Sequence, residues 1–377
     1  MKILHIISGL KNGGAETILY RLVKDDATNN EHVVISLIDK AFYGEYLEKE
    51  GVVVHSLYFG QGWFNISPLV KLYKIIHLYK PDIIQTWMYH ANFIGALVYM
   101  FTKYKNIFWS IHHSDLDSKK TSSITLAINK ICAFMSNKIP RSVVFCSDFC
   151  ANVHENVGYD KRKSTIINNG VDVNEFTPNL TGRNLLRSEW GGDDSCIVLG
   201  MVARWDIHKD HKNLFSALSL MGSTITLPWK CVLVGQNMNT SNAELEFLLG
   251  KYNLKDNIIL LGVRNDIPLI MDSIDIHILS SSGEAFGNTT IEAMSCGTPA
   301  IVTNVGAGEF IVGNTGWVVP PSNPYLLAES IMVAMKLKTD VHSWEKRKNN
   351  CRQRIINEFS VDKMKREYNQ LWDKSLH

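Results

Sequence analysis

The sequence has little net charge and no long apolar run. Its 377 residues carry 39 Lys and Arg against 37 Asp and Glu, a net charge of +2, which gives no general case for nucleic-acid binding. The longest apolar run in the first half is FIGALVYMF, residues 93–101, whereas a membrane-spanning helix needs about 20 apolar residues. The opening MKILHIISGL lacks a small-residue cleavage site and predicts a first strand instead of a signal peptide. A cytoplasmic chain without a membrane span is therefore expected.

Two cofactor and redox signatures are also missing. None of the seven cysteines belongs to a Cys-x-x-Cys pair, which predicts free thiols in a reducing compartment. The early glycines Gly9, Gly13 and Gly14 do not form Gly-x-Gly-x-x-Gly, which argues against a dinucleotide fingerprint. Neither a disulfide framework nor a nicotinamide cofactor is therefore expected.

Short apolar runs alternate with helical patterns along the whole chain, as in consecutive βαβ units. Residues 1–173 predict one domain and residues 174–359 a second, and a final helix at about 360–377 is expected to pack back on the first. Residues 174–195 are rich in Gly, Pro and Asp without a strand pattern and predict a linker. The predicted fold class is α/β, with two doubly wound Rossmann-like domains facing a central cleft.

The stretch SGEAFGNTTIEAMSCGTPAIVTN, residues 282–304, places one glutamate in a loop and another in a helix. Glu284 follows a strand pattern, and doubly wound sheets bind ligands at the carboxyl ends of their strands. Asn288 and Thr289 are both suitable N-cap residues for the next helix, whose free N–H groups predict an anion site. Two simpler interpretations stay open here. Glu292 could close a capping box with Thr289, and Glu284 could be a solvated loop acid.

A cationic pair follows another strand pattern in GMVARWDIHKDHKNL, residues 200–214. Arg204 ends the strand pattern, and Lys209 stands five residues later, just before a helix. Two fixed cations at one strand end and a helix N-terminus at another would bind a diphosphate, although an ordinary charged loop is the alternative. One glutamate could then bind a ribose diol and the other a polar group beyond it. Together these elements predict a nucleotide diphosphate that carries a further group.

These motifs resemble the retaining, metal-independent glycosyltransferases of the GT-B fold, specifically the bacterial O-antigen and polysaccharide type of family 4. The resemblance covers almost the whole chain. Its strongest element is the Glu-x7-Glu signature at Glu284 and Glu292, and the pair Arg204 and Lys209 is the next. Three further segments match: GLKNGGAET as the Gly-rich loop, INNGVDVNEF as the hinge between domains, and LLGVRNDIP beside the nucleobase.

The resemblance implies roles for the matching positions. Arg204 and Lys209 would bind the donor diphosphate, Glu292 the ribose hydroxyls, and Glu284 the donor sugar near its reacting face. The other donor-binding positions that it implies in the second domain are Val263 and Arg264 beside the base, and Phe286, Gly287, Asn288 and Thr289 around sugar and phosphate oxygens. The catalytic residues that we predict are Glu284, His112, Arg204 and Lys209.

The first domain is expected to bind the acceptor. The amide of Gly14 could approach the donor phosphate from the other side, and Gly13 is an acceptor candidate. His112 and His113 follow a strand pattern in WSIHHSD; the family has a histidine here beside the donor sugar, and we favour His112. A strand-end histidine without a role is the alternative. The remaining acceptor candidates are His113 and three residues of QTWMYHAN, interpreted as a strand-end loop: Trp87, Tyr89 and His90.

No metal or cofactor is predicted. The triplet Asp115-Leu116-Asp117 is interpreted as a loop, and the histidines lack the ligand spacing of a zinc site. Arg204 and Lys209 would stabilise the leaving diphosphate in place of a divalent metal ion. A nucleotide-sugar epimerase is the rival enzyme, but its dinucleotide fingerprint is absent, and a two-domain sugar-binding protein is the non-enzymatic alternative.

The resemblance also implies partners. The donor would be a nucleotide sugar, most often a UDP-linked hexose or N-acetylhexosamine, and the acceptor a polyprenyl-diphosphate-linked glycan, as in O-antigen or capsule assembly. Residues 100–141 hold seven Lys and Arg against two Asp, which predicts an anionic membrane surface as a further partner, although such runs are ordinarily solvated faces. The expected location is the inner face of the plasma membrane, as a peripheral protein.

Overall fold

The chain folds into two compact units, which we describe separately. The computed structural model describes residues 1–26, 30–59, 66–117, 121–191, 195–222 and 224–376. Unit 1 holds residues 1–170 together with 361–377, and unit 2 holds residues 171–360. The chain therefore passes from unit 1 to unit 2 after Gly170 and returns after Ser360. No helix in the described ranges is long and apolar enough to cross a membrane.

Unit 1 contains a seven-stranded parallel sheet. Its strands are β1 Lys2–Ile7, β2 Glu31–Ser36, β3 Val53–Ser56, β4 Ile83–Trp87, β5 Ile107–Ile111, β6 Ser142–Phe145 and β7 Ser164–Ile166. The helices between them are α1 Gly14–Val23, α2 Ala41–Lys49, α3 Ser67–Tyr79, α4 Met88–Phe101, α5 Ser123–Met135 and α6 Asp148–Val157. The strand order is β3-β2-β1-β4-β5-β6-β7, so the winding direction reverses between β1 and β4. This order is that of a doubly wound Rossmann-like sheet.

Unit 2 repeats the same winding with six parallel strands. These are β8 Ile197–Val202, β9 Trp229–Val234, β10 Ile258–Gly262, β11 Ile276–Leu279, β12 Ala300–Thr303 and β13 Trp317–Val319. The helices are α7 Leu180–Glu189, α8 His211–Met221, α9 Ala243–Lys251, α10 Ile267–Ser273, α11 Asn288–Ser295, α12 Gly308–Val312, α13 Pro324–Lys338 and α14 Val341–Glu358. The order β10-β9-β8-β11-β12-β13 reverses between β8 and β11. The predicted α/β class with two doubly wound sheets is confirmed; the three-residue β13 was too short to predict.

The last helix, α15 Val361–Asp373, belongs to unit 1. Its Met364, Tyr368 and Trp372 are buried in the same apolar core as β1 and α1. Two polar contacts fix its orientation. The Trp372 indole N–H donates to Gln85 Oε1 at 3.1 Å, and the Tyr368 hydroxyl lies 3.1 Å from Ser110 Oγ. The C-terminal segment is thus an integral part of the core of unit 1.

The linker interpretation of residues 174–195 is wrong for α7, which is a structured part of unit 2. Arg183 Nη2 and Arg187 Nη1 contact the two oxygens of Asp275 at 2.5 and 3.0 Å, and Lys338 Nζ lies 3.6 Å from the same carboxylate. Burial would raise the pKa of Asp275, but the charges of Arg183, Lys338 and Arg187 lower it overall. The two arginines of α7 therefore tie this segment to Asp275 in unit 2. Residues 192–194 lie outside the described ranges.

All seven cysteines are buried free thiols, as predicted. Burial raises the pKa of the Cys132 thiol to about 12, and that of Cys231 likewise to about 12. Thiols of this kind behave as small apolar side chains.

Candidate functional site

Unit 2 brings its two predicted site loops to one position of the sheet. Arg204 and Lys209 follow β8, and Glu284 follows β11. These two strands flank the point at which the winding reverses. Doubly wound sheets bind ligands at such a switch point, beyond the carboxyl ends of the strands. The cations and the acid therefore occupy the usual ligand position of this fold.

Lys209 and Glu284 form an ion pair. Lys209 Nζ contacts Glu284 Oε1, and the Ser281 hydroxyl donates to the same oxygen at 2.9 Å. Both charged side chains are largely covered, with 23% of Lys209 and 12% of Glu284 exposed. Partial burial strengthens such an attraction relative to a surface pair. The predicted phosphate cation and the predicted sugar acid are thus directly coupled, which the sequence did not show.

Hydrogen bonds between the two loops hold this pair in place. The Ser282 N–H donates to the carbonyl of His208 at 2.8 Å, and the Ser280 hydroxyl donates to the carbonyl of Lys209 at 3.1 Å. Lys209 ends a single 3₁₀ turn, Ile207–Lys209, shortly before α8. The positions of the two charges are therefore set by loop backbones as well as by mutual attraction.

Arg204 is the more exposed of the two predicted cations. Its Nε donates to Asp206 Oδ2 at 3.0 Å, and 57% of its side chain is exposed. An exposed pair of this kind contributes little stability. The guanidinium can therefore turn towards a phosphate at small cost, and its planar donors suit phosphate oxygens.

Helix α11 begins at Asn288, so the predicted N-cap residues lie inside it. Gly287 is the N-cap, with a φ of 108° that favours glycine, and no side chain in the described ranges caps the helix. The capping-box interpretation of Thr289 and Glu292 is therefore wrong, because neither residue occupies the position that such a box requires. Glu292 is only 7% exposed, within the helix.

The loop after β12 packs on the backbone of Glu284. Gly306 has a φ of 60°, and a Cβ built there would lie 2.4 Å from the Glu284 carbonyl oxygen. Any other residue would displace the loop that carries the acid. Sequence reasoning missed Gly306 and Ser281, because neither a glycine nor a serine in a loop indicates which distant residue it contacts.

The other donor candidates follow β10 and β11. Val263 is exposed beyond β10, and Arg264 forms a two-point ion pair with Asp266, with Nε 2.8 Å from Oδ1 and Nη2 2.5 Å from Oδ2. Phe286 is buried, with its ring 6.0 Å from that of Phe359. The first turn of α11 holds the partly exposed Asn288 and Thr289. Asp266, absent from the prediction, holds Arg264 in one orientation.

In unit 1 the Gly-rich loop follows β1 at the corresponding switch point. Gly13 is the N-cap of α1, and Gly14 is its first residue. The Thr17 hydroxyl donates to the Gly13 carbonyl at 2.8 Å, and the Thr17 N–H donates to the same oxygen at 3.0 Å. The amides at this helix start therefore lie at the ligand edge of unit 1.

The loop interpretation of QTWMYHAN is wrong, because α4 begins at Met88 directly after β4. Trp87 and Tyr89 are both buried, so neither presents a ring face to an acceptor. The Tyr89 hydroxyl lies 2.7 Å from His154 Nε2 inside the core. His90 is partly exposed, and burial lowers the pKa of its imidazole. Of the three, only His90 keeps access to solvent.

His112 and His113 directly follow β5, both partly exposed. The ring of His112 stacks on Trp87, with centroids 5.3 Å apart and an interplanar angle of 17°. The His113 carbonyl accepts from the Cys150 thiol at 3.3 Å. Trp87 is thus a support for His112 and not an acceptor contact.

A buried hydrogen-bonded chain holds Trp87. Its indole N–H donates to His5 Nδ1 at 3.2 Å, His5 Nε2 lies 2.9 Å from His32 Nδ1, and His32 Nε2 lies 2.9 Å from Asp26 Oδ2. An indole N–H can only donate, so His5 Nε2 carries the proton and donates to His32, which in turn donates to Asp26. For each of the two imidazoles, one tautomer satisfies the chain.

This chain makes the stability of unit 1 depend on pH. Burial first, and then the charge of His32, lowers the pKa of His5 well below its ordinary value. A lowered folded-state pKa means that the unfolded chain binds the additional proton, so stability is complete above about pH 6.5 and is lost below it.

We expect His5→Gln to reduce the slope of unfolding free energy against pH by about 1 kcal/mol per pH unit between pH 6 and 5. Urea unfolding over that range measures it, with the exposed His342→Gln as control; equal slopes in both variants would contradict the expectation.

Within the described residues, no group of three or more His, Cys, Asp or Glu is arranged to hold a metal ion. The triplet at residues 115–117 forms an irregular loop, in which the Asp117 N–H donates to Asp115 Oδ1 at 2.9 Å.

Comparison with known proteins matches both units to glycosyltransferase families. Residues 12–175 match the model Glycosyltransferase Family 4, and residues 183–354 match Glycosyl transferases group 1. The chain is 25% identical over 311 residues to an Escherichia coli UDP-Gal:alpha-D-GlcNAc-diphosphoundecaprenol alpha-1,3-galactosyltransferase, covering 81% of this chain and 79% of that protein. It is 24% identical over 314 residues to the Campylobacter jejuni N,N'-diacetylbacillosaminyl-diphospho-undecaprenol alpha-1,3-N-acetylgalactosaminyltransferase, covering 79% and 80%.

The fold is also shared with solved structures. Anabaena HepE in complex with UDP and glucose superposes with a TM-score of 0.86 at 21% identity, covering 99% of this chain and 100% of HepE. The two matched families, which together span most of both units, and this shared architecture identify the chain as a GT-B glycosyltransferase of family 4.

Proposed function

We propose that this enzyme is a retaining, metal-independent glycosyltransferase of surface polysaccharide synthesis. It transfers a hexose or N-acetylhexosamine from a UDP-sugar to a polyprenyl-diphosphate-linked glycan. The observation that carries the proposal is the coupled pair Lys209–Glu284 at the switch point of unit 2. Relatives named for diphospho-undecaprenol acceptors and a fold neighbour solved with UDP support the substrate classes.

In this proposal unit 2 binds the donor and stabilises the leaving UDP. Arg204, Lys209 and the positive end of the α11 helix dipole supply positive charge where the diphosphate gains negative charge. Glu292 binds the ribose hydroxyls. Glu284 lies beside the sugar, where its carboxylate stabilises positive charge that develops on the ring. Unit 1 binds the acceptor, and its His112, whose ring stacks on Trp87, is the proposed catalytic histidine.

The first test is turnover without divalent cations. We expect the enzyme to transfer sugar from a UDP-hexose or UDP-N-acetylhexosamine to a synthetic GlcNAc-diphospho-lipid in the presence of EDTA, because the protein's own cations neutralise the diphosphate. Proton NMR of the product is expected to show the α anomer from an α donor. Activity abolished by EDTA and restored by Mn²⁺, or a β product, would overturn the proposal.

Membrane association is supported by the exposed side of α5. Ile124, Ile131 and Phe134 are 71%, 44% and 86% exposed. They are spaced at helical intervals, with Lys130 between them, and α5 contains no acidic residue. Apolar residues bordered by Lys suit the interface of an anionic bilayer. Lys119 and Lys120, part of the predicted basic excess, lie outside the described ranges.

We expect the enzyme to pellet with phosphatidylglycerol vesicles at low salt and less at high salt, since screening weakens the Lys contribution. Phe134→Ser is expected to reduce the bound fraction severalfold. Phe247→Ser in unit 2, at a residue 68% exposed, is the matched control. Equal pelleting with neutral and anionic vesicles, or equal binding by both variants, would argue against a role for this surface.

A further inference from the structure

Four aromatic side chains of unit 1 form a partly exposed cluster on α1 and α2, which we call the aromatic platform: Tyr20, Phe42, Tyr43 and Tyr46. The ring centroids of Phe42 and Tyr46 are 4.7 Å apart, and those of Tyr20 and Tyr43 are 5.6 Å apart. Phe42 is 40% exposed and Tyr46 36%. Contiguous exposed rings are a common mark of a binding surface.

The aromatic platform borders the Gly-rich loop. The Tyr43 hydroxyl lies 2.7 Å from Thr17 Oγ1, and the Thr17 hydroxyl donates to the Gly13 carbonyl at 2.8 Å. The Tyr43 N–H donates to the Leu10 carbonyl at 2.8 Å. Helix α2 starts shortly after β2 ends, so Phe42 and Tyr43 lie at the carboxyl ends of the strands. The rings therefore adjoin the ligand edge of unit 1.

Charges around the aromatic platform are balanced. From cap to cap, α1 and α2 hold four cationic side chains and four glutamates: Arg21, Lys24, Lys40, Lys49, Glu16, Glu45, Glu48 and Glu50. The Tyr20 hydroxyl donates to Glu50 Oε1 at 3.1 Å, and Lys49 Nζ lies 5.2 Å from the Tyr46 ring centroid. Such a surface has no excess positive charge for a phosphate or an anionic bilayer. It suits a neutral ligand with many hydroxyl groups.

We propose that the aromatic platform binds neutral sugar residues of the acceptor glycan. Ring faces pack on the C–H faces of sugars, and tyrosine hydroxyls and carboxylates bind sugar hydroxyls. The proposal rests on the proposed function for the identity of its ligand as an acceptor. It gives unit 1 an exposed aromatic surface, which the buried Trp87 and Tyr89 do not provide.

Saturation-transfer NMR tests this directly. The ligands are the methyl glycosides of glucose, galactose, N-acetylglucosamine and N-acetylgalactosamine, each added to the full-length protein. We expect transfer to at least one of them from the wild type, and at least a fivefold weaker signal from the double variant Phe42→Ala/Tyr46→Ala. Phe247→Ala in unit 2, also an exposed ring, is expected to match the wild type. Phe42, Tyr46 and Phe247 all lie on the surface, and thermal unfolding of each variant checks that the fold is kept.

The outcomes separate this inference from the proposed function. No transfer to any of the four glycosides from the wild type, or equal transfer in the double variant, would overturn the inference. So would a double variant that keeps its sugar signal and loses only vesicle binding, because the rings would then face a membrane. UDP affinity, measured by calorimetry, is expected to be equal in the wild type, the double variant and Phe247→Ala. A wild type that binds a glycoside but not UDP would overturn the proposed donor site alone.

Discussion

Glu284→Gln is expected to lower kcat about a hundredfold or more, with little loss of UDP affinity. The amide keeps the size of the side chain and a carbonyl oxygen for the Ser281 hydroxyl, 2.9 Å away. What it removes is the negative charge that the proposed function places beside the donor sugar, where it would matter most as positive charge develops in the transition state. Lys209 also loses its carboxylate partner, so its charge is left for the diphosphate. UDP affinity should then be unchanged or slightly higher.

Glu292→Gln is the matched comparison. If Glu292 binds the ribose in ground and transition states alike, this variant raises the donor KM about tenfold and changes kcat little. Steady-state kinetics and UDP calorimetry on both variants separate the two roles. Near-normal kcat in folded Glu284→Gln would mean that the acid serves only to neutralise Lys209.

Asp275→Asn is expected to destabilise unit 2 by about 3–5 kcal/mol. Asp275 accepts from Arg183, Arg187 and the Val198 N–H, the last at 2.8 Å. Only 3% of the Arg187 side chain is exposed, so loss of the carboxylate removes a counter-charge from a buried cation. Removal of one partner from a buried ion pair costs far more than the pair itself contributes.

Asp266→Asn is the control for this effect. Its pair with Arg264 is one-third exposed on both sides, and such pairs contribute about 1 kcal/mol or less. Denaturant unfolding followed by hydrogen exchange in unit 2 measures both variants. Equal losses would contradict the assignment of α7 as a helix held by a buried charge network.

Strand and helix order could be predicted from the sequence because each element carries its own periodicity. The positions of Arg204, Lys209 and Glu284 could be predicted for the same reason, since all three stand just beyond strand patterns. The ion pair between Lys209 and Glu284 could not, because it depends on β8 and β11 being neighbours in the sheet. No local pattern encodes that adjacency.

One error of the sequence analysis has a local cause, and another has a distant one. Met88 starts α4 with a φ of 72°, so β4 passes into the helix without the loop that polar and aromatic residues suggested. The rings of Trp87 and Tyr89 are then enclosed by other polar rings of the core, His5, His112 and His154. Residues 180–189 were assigned to a linker because Gly, Pro and Asp surround them. The carboxylate that binds Arg183 and Arg187 lies about 90 residues later, so no local pattern shows it.

The position of α15 has a consequence for synthesis. Unit 2 is inserted between β7 and α15, and its two ends meet where Val171 bridges Ser360. A ribosome therefore completes every strand of unit 1, and then all of unit 2, before it supplies Tyr368 and Trp372 to the core of unit 1. N-terminal domains generally fold first during translation. Here we expect the reverse order, since the nascent N-terminal unit lacks part of its core until the last helix is made, while the later unit already holds its whole sequence.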